Sequence, residues 1–228
     1  MKKILMLLAL LPMLVACNTE NQNGDQEEPI SGGIHVSPYY VQVYIKADKI
    51  VHVKHNKDGI ILGATGVSFD GADYCEKFKD VGFNQPIAEN VTTALLNHFV
   101  KIDLVSDSDF DEAHKAGTSL ADIAYFAGGS ALPFIESKYD KSVAFAWGKD
   151  DPEVYKKIAG VGLWYTPGFS PKYIKLQDID DTSLLLAEPT FGVVFESMPT
   201  FSTTHHLTLT VTDCNGSVIE TEFDWESK

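Results

Sequence analysis

Asp107-Ser108-Asp109-Phe110-Asp111 is the densest chemistry-bearing pattern in the chain. Carboxylates at every second residue open a calcium loop, because a hard cation collects oxygen ligands at that spacing. The rest of such a loop is missing. Its sixth position is Glu112 where glycine makes the sharp turn, and its twelfth is Thr118 where a bidentate acid belongs. An EF-hand is therefore excluded, and Asp107, Asp109 and Asp111 remain candidate ligands of a looser calcium site, against the alternative of a solvated acidic loop. A second pattern is aromatic. Trp164, Tyr165, Phe169 and Tyr173 crowd a stretch punctuated by Pro167, Gly168 and Pro171. Flat rings on a stiff loop are candidates to stack on a sugar or another protein, and the alternative is that they pack the end of a sheet. The histidines give no metal pair: His205 and His206 are neighbours on a strand and point to opposite faces, and the same reading places His52 and His55 on opposite faces. Asp111-Glu112-Ala113-His114 spells a helicase box, but the chain has no phosphate-binding Gly-Lys-Ser/Thr loop and no arginine. The nucleophile elbow and the His-Glu-x-x-His helix are absent too, which leaves only carboxylates scattered along the chain for a hydrolase to use.

The segments that would carry these residues begin with a leader. Lys2 and Lys3 precede the apolar run from Ile4 to Val15, followed by Ala16 and Cys17. A positive start, a short apolar middle and small residues before the cut make a removable secretory signal. The run is too short for a bilayer span, which takes about 20 residues. Leu14-Val15-Ala16-Cys17 resembles the bacterial lipobox, in which the cysteine becomes the first mature residue and carries acyl chains. The resemblance implies a signal over 1–16, lipidation at Cys17, and a membrane partner reached through that lipid. Asn18 to Gly33 is rich in Asn, Gln, Glu and Gly with one large apolar residue, Ile30, so 17–36 reads as a flexible tether. Its acids Asp25, Glu27 and Glu28 resemble the surface-export signal of Bacteroidota lipoproteins, and a solvated linker would share that composition. With Cys17 acylated, Cys75 and Cys214 are left as a candidate disulfide or as two unrelated thiols.

Charge narrows the partners. All 18 basic residues are lysine against 32 acids, a net charge of -14, and removal of Lys2 and Lys3 with no acid takes it to -16. Such a body repels phosphate backbones and lacks the guanidinium fork that reads guanine, so nucleic acid is excluded as a partner. The same charge denies it an electrostatic grip on anionic lipid, leaving the acyl chains to hold the membrane.

Residues 37–228 carry the folded pattern. Val41, Val43 and Ile45 alternate with polar residues as in a half-buried strand, and Asn56-Lys57-Asp58-Gly59 marks a turn. Val100, Ile102 and Leu104 predict another strand. Ser119 and Asp122 have the spacing of a capped helix over Leu120 to Phe126, and Asp151-Pro152-Glu153 predicts a helix start. Leu184 to Ala187 and Phe191 to Phe195 read as buried strands. Leu207, Leu209 and Val211 alternate with threonines, and Ile219, Thr221 and Phe223 alternate with acids. Burial of one face fixes the register: a three-residue loop, Cys214-Asn215-Gly216, sets Leu207 opposite Phe223 and Val211 opposite Ile219. That register puts Cys214 at an exposed turn tip.

The run from Val100 to Asp111, followed by His114 to Leu120, is similar to a segment of Bacteroidota lipoproteins that join a signal, a tether and one β-rich domain and have no assigned activity. The resemblance implies an outer-membrane lipoprotein, facing the surface or the periplasm. The strand pattern predicts a mainly β chain: an antiparallel β-sandwich, immunoglobulin-like or transthyretin-like, with a few short helices. Two small β domains divided near Gly128-Gly129 are the alternative. The expected function is a non-enzymatic binding or accessory module for a glycan or an envelope protein. A fimbrial subunit or adhesin and an exported hydrolase are the competing expectations. No cofactor is implied apart from calcium.

Overall fold

The computed structural model describes residues 40–74, 93–138, 140, 152–163 and 169–227. The chain divides into two units, Met1–Gly33 and Ile34–Lys228, and all described residues lie in the second. That unit is mainly β.

The first hairpin joins β1 (Val43–Asn56) to β2 (Gly59–Asp70) through the expected turn. Asn56 Oδ1 accepts from the amides of Asp58 (2.8 Å) and Gly59 (3.1 Å), an Asx turn that fixes the reversal. β1 departs from the period of two expected of it. Tyr44 is buried on the opposite face from Ile45, in a second cluster with Tyr40 and Phe134, and Ala47 and Ile50 are both buried in the main core because the register slips between Ala47 and Lys49; it slips again between His52 and Lys54. Each bulge inserts a residue and turns the following side chains.

After a short helix α1 (Gly71–Tyr74) come β3 (Thr93–Leu95) and β4 (Phe99–Ser106), then β5 (Ala124–Ser130), α2 (Leu132–Glu136), α3 (Pro152–Gly160), β6 (Ser170–Lys175), β7 (Thr190–Phe195), β8 (Thr204–Asp213) and β9 (Val218–Glu226). The strands form a six-stranded sheet, ordered β3-β1-β2-β7-β5-β6, and a three-stranded sheet, ordered β4-β8-β9. Pairings are antiparallel except for β1 with β3. One core takes residues from both sheets: Ile50, Leu62, Phe126, Phe191 and Phe195 from the larger, Ile102, Leu104, Leu209, Phe223 and Trp225 from the smaller. Each such side chain contributes about 1.5–3 kcal/mol by leaving water.

The C-terminal hairpin has the expected register. Leu207 faces Phe223, Val211 faces Ile219, and the Asp213 amide donates to the Ser217 carbonyl at 3.0 Å. Gly216 closes the loop at φ +79°, where a side chain would be strained. Cys214 is half-buried and not at a bare tip, since its amide donates to the His98 carbonyl at 2.9 Å.

Three expectations are overturned. Leu120–Phe126 is not a helix: Leu120 to Ile123 form a turn and β5 follows. β5 lies between β7 and β6, is covered on both faces, and so shows no alternation in sequence. Gly128-Gly129 sits inside this buried strand and divides nothing; a Cβ at Gly128 would meet the Phe126 ring at 2.9 Å. Leu184–Ala187 forms isolated bridges, from Leu184 to Phe99 and from Ala187 to Ser130, with Leu186 in the left-handed region at φ 48°. The expected helix start at Pro152 is where α3 begins.

Candidate functional site

The acids of Asp107-Ser108-Asp109-Phe110-Asp111 do not converge. Asp107 Oδ1 accepts from Ser108 Oγ (2.8 Å) and the His206 amide (3.1 Å). Asp109 Oδ1 accepts from the Ala116 amide (2.9 Å), and its other oxygen pairs with Lys115 at 3.2 Å. Asp111 Oδ1 accepts from the Ala113 and His114 amides and from the His114 ring, each at 2.8 Å. Asp109 and Asp111 are turned into the backbone of their own loop, Asp107 is turned to the β8 backbone at His206, and Phe110 between them is buried in the core. The calcium site expected at Asp107, Asp109 and Asp111 is therefore corrected: among the described residues no three His, Cys, Asp or Glu side chains could hold a metal.

His205 and His206 face opposite ways as expected. His205 is buried beside Phe110 and Trp225, donates from Nε2 to the Ser202 carbonyl at 3.1 Å, and has Nδ1 2.8 Å from Ser106 Oγ. His206 lies on the surface between Asp224 (2.8 Å) and Glu222 (3.6 Å), whose hydrogen bonds hold its pKa above the usual value, the Asp224 bond foremost. His52 and His55 do not face opposite ways. The bulge at Val53 brings their rings into a stack at 5.2 Å with Nε2 of one 3.2 Å from Nδ1 of the other. His52 also stacks on Phe223, and burial, then the neighbouring His55, lowers its pKa.

The aromatic stretch separates. Trp164 and Tyr165 lie outside the described residues. Phe169 is 0% exposed and packs with Tyr40 and Phe134 in a second core cluster under α2, so it cannot stack on a ligand. Of the two described members, Tyr173 reaches the surface. On the face of the larger sheet away from the main core, antiparallel pairing sets Tyr125 opposite Lys175 and Ala127 opposite Tyr173. The Tyr125 and Tyr173 rings stack at 4.6 Å with 12° between their planes. Lys157 Nζ, from the last turn of α3, lies 5.1 Å from the Tyr173 ring centre and 6.0 Å from that of Tyr125, alongside both. Lys175 Nζ lies 5.5 Å from the Tyr125 ring and pairs with Glu196 at 2.9 Å.

α3 reaches this face because the sheet beneath it is thinned. Gly59 and Gly192 carry no side chain where Val161 and Leu163 approach; a Cβ at Gly59 would stand 2.7 Å from Val161 Cγ1 and one at Gly192 2.9 Å from Leu163 Cδ1. Ile158 and Val161 then pack on Ala127 and Val194, and Gly162 at φ +82° stops the helix. The electrostatics follow from the contacts. Burial, then Tyr125 and Glu196, push the Tyr173 phenol up to about 12, so it stays a donor through neutral pH. Hydrogen bonding to Glu196 raises Lys175, the same bond lowers Glu196, and the Tyr125 hydroxyl adds to both shifts. The cluster thus presents two ammonium groups, one carboxylate and two phenols on a half-exposed aromatic surface.

Of these five residues the sequence pattern marked only Tyr173. Lys175 shares β6 with it, Tyr125, Lys157 and Glu196 come from three other segments, and reading 124–130 as a strand would have placed Tyr125 and Ala127 on one face. A shallow groove of about 420 Å³ runs beside β4, lined by Ile102, Leu176 and Ile179 among others. Its acid, Asp103, is taken by Ser119 Oγ (2.5 Å) and the Leu104 amide (2.9 Å). Cys214 is disulfide-bonded. Its expected partner Cys75 and the lipidation residue Cys17 lie outside the described residues. No family model, curated protein or solved structure matches the chain.

Proposed function

We propose that the chain is a lipid-anchored lipoprotein of the bacterial outer membrane, at the surface or the periplasmic face, and that its body is a non-enzymatic binding module. The observation that carries this reading is the leader: two lysines, a short apolar run and Leu14-Val15-Ala16-Cys17. A tether rich in Asn, Gln and Glu follows, long enough to hold a folded body off the membrane. Among the described residues no helix is long and apolar enough to cross a membrane. The body is proposed as a β-sandwich, with the larger sheet lying over β4-β8-β9 around their shared core. Support for binding comes from the tyrosine–lysine cluster, whose side chains are held by the sheet and α3 and not by a free loop.

Growing a bacterial host that expresses the full chain with an alkyne fatty acid tests the anchor. The wild type is expected to take up the label and fractionate with membranes, and Cys17→Ser to lose both. An unlabelled wild type would refute the anchor. The purified chain in detergent, applied to an array of polysaccharides and envelope proteins, is expected to bind a discrete set; no binding would refute the module.

A further inference from the structure

We infer that the cluster of Tyr125, Tyr173, Lys157, Lys175 and Glu196 is the binding site of an anionic saccharide, one that carries a carboxylate or a sulfate ester on its ring. The inference rests on the binding-module reading and names its ligand class.

Charge at the cluster runs against the rest of the molecule. The chain carries 32 acids and 18 lysines, yet here two lysines share one acid. Lys175 spends its charge on Glu196 at 2.9 Å. Lys157 has no carboxylate in salt-bridge range among the described residues; its ammonium rests against two rings at 5.1 and 6.0 Å. Cation–π contact supplies only part of what water gives an ammonium, so Lys157 retains capacity for an oxyanion. Both rings lie alongside it, and the Tyr173 phenol keeps its proton, so a ligand anchored on the ammonium by its oxyanion has a hydroxyl donor on the neighbouring ring.

The sugar part follows from the rings. The two tyrosines stack on one another at 4.6 Å, so each ring is held rigid, loses little side-chain entropy on binding and keeps only its outer face and edge for a ligand. A bare inorganic anion would use the lysine and ignore that surface. A nucleic acid would bring phosphate after phosphate against a body of net charge -14. A saccharide with one anionic group places its charge at Lys157 and its ring against the outer side of the stacked tyrosine pair.

The experiment is titration calorimetry of the full chain in detergent with three probes: an oligogalacturonate, its fully methyl-esterified form, and a sulfated chondroitin oligosaccharide. Binding of the oligogalacturonate or the sulfated probe is expected, with weakening at high salt and no binding of the methyl ester; which charged probe binds tells carboxylate from sulfate. Lys157→Gln is expected to lower that affinity about tenfold, the loss of one charge-assisted contact, with an unchanged melting temperature. Tyr173→Phe, which keeps the ring and removes the donor, should lower it less. Equal binding of the methyl ester, or no effect of Lys157→Gln on a bound anionic probe, overturns the inference and leaves the binding module standing. Failure of all three probes also overturns it, and the module then stands or falls on the array.

Discussion

His114 shows what a single side chain does for a loop of this acidity. Its Nδ1 lies 2.8 Å from Asp111 and its Nε2 3.1 Å from Asp122, so both ring nitrogens face carboxylates. Only an imidazolium donates from both. Burial pulls its pKa down, but the bonds to Asp111 and Asp122 outweigh it and hold the pKa above 6.5. Asp111 is also depressed: burial works against this, and the bonds from His114 and the Ala113 amide prevail. The neighbouring charges, Asp109 and Lys115, pair with one another. A histidine whose folded pKa is raised stabilises fully below its unfolded value of 6.5, and that stabilisation is lost as pH rises through the folded pKa. Asp111 adds stability above 3.8 that is lost as pH falls through its own folded pKa. His114→Gln is therefore expected to lower the melting temperature clearly at about pH 5.5 and much less at about pH 8.5, read by scanning calorimetry. An equal loss at both pH values would show that the imidazolium does not hold the loop.

At the level of elements, two glycines of the same region answer to opposite causes. Gly59 lies in β2 under α3, where a Cβ would clash with the Val193 carbonyl oxygen and stand 2.7 Å from Val161. Backbone cannot yield there, so Gly59→Ala is expected to destabilise by about 1–3 kcal/mol in urea unfolding, chiefly by lifting α3. Gly160, the last residue of α3, faces open space. Gly160→Ala should therefore stabilise, by about 0.5–1 kcal/mol. A stabilised Gly59→Ala would mean that α3 does not seat where it is drawn. The same physics decides what could be read from sequence. The β8–β9 register was legible because each strand buries one face and a one-residue slip would send Leu207 and Val211 to water. β1 misled because Tyr44 is covered on the face opposite Ile45 and because bulges after Ala47 and His52 break the later period, and bulges have no side-chain signature. β5 misled because a strand covered on both faces shows no alternation, and Leu120, Ile123 and Ala124 then mimic a helical stripe. The tyrosine–lysine cluster was hidden for the same reason: its members meet only through the pairing of β5 with β6 and β7 and the seating of α3.

For the molecule as a whole, the cysteines put the proposed anchor to the test. The body closes around Trp225, which is fully buried from β9 and donates its indole N–H to the Asn56 carbonyl at 3.1 Å, tying the small sheet to the first hairpin turn. Across β9 the outward residues Glu220, Glu222, Asp224 and Glu226 are exposed, so the excess acid stays in water. At the other end of this sheet Cys214 is disulfide-bonded, and a chain with three cysteines offers it only Cys17 or Cys75. An acyl-bearing Cys17 has no free thiol to give, so the anchor demands that the partner be Cys75. Peptide mapping of the membrane-extracted protein without reductant is expected to give a linked Cys75–Cys214 peptide and a separate acylated peptide beginning at Cys17. Because that bridge closes a long loop, its reduction should lower stability by about 2–5 kcal/mol in urea. A linked Cys17–Cys214 peptide would remove the one thiol the lipid needs, and the chain would then be a secreted β protein stapled at its N-terminus and held to no membrane by acylation.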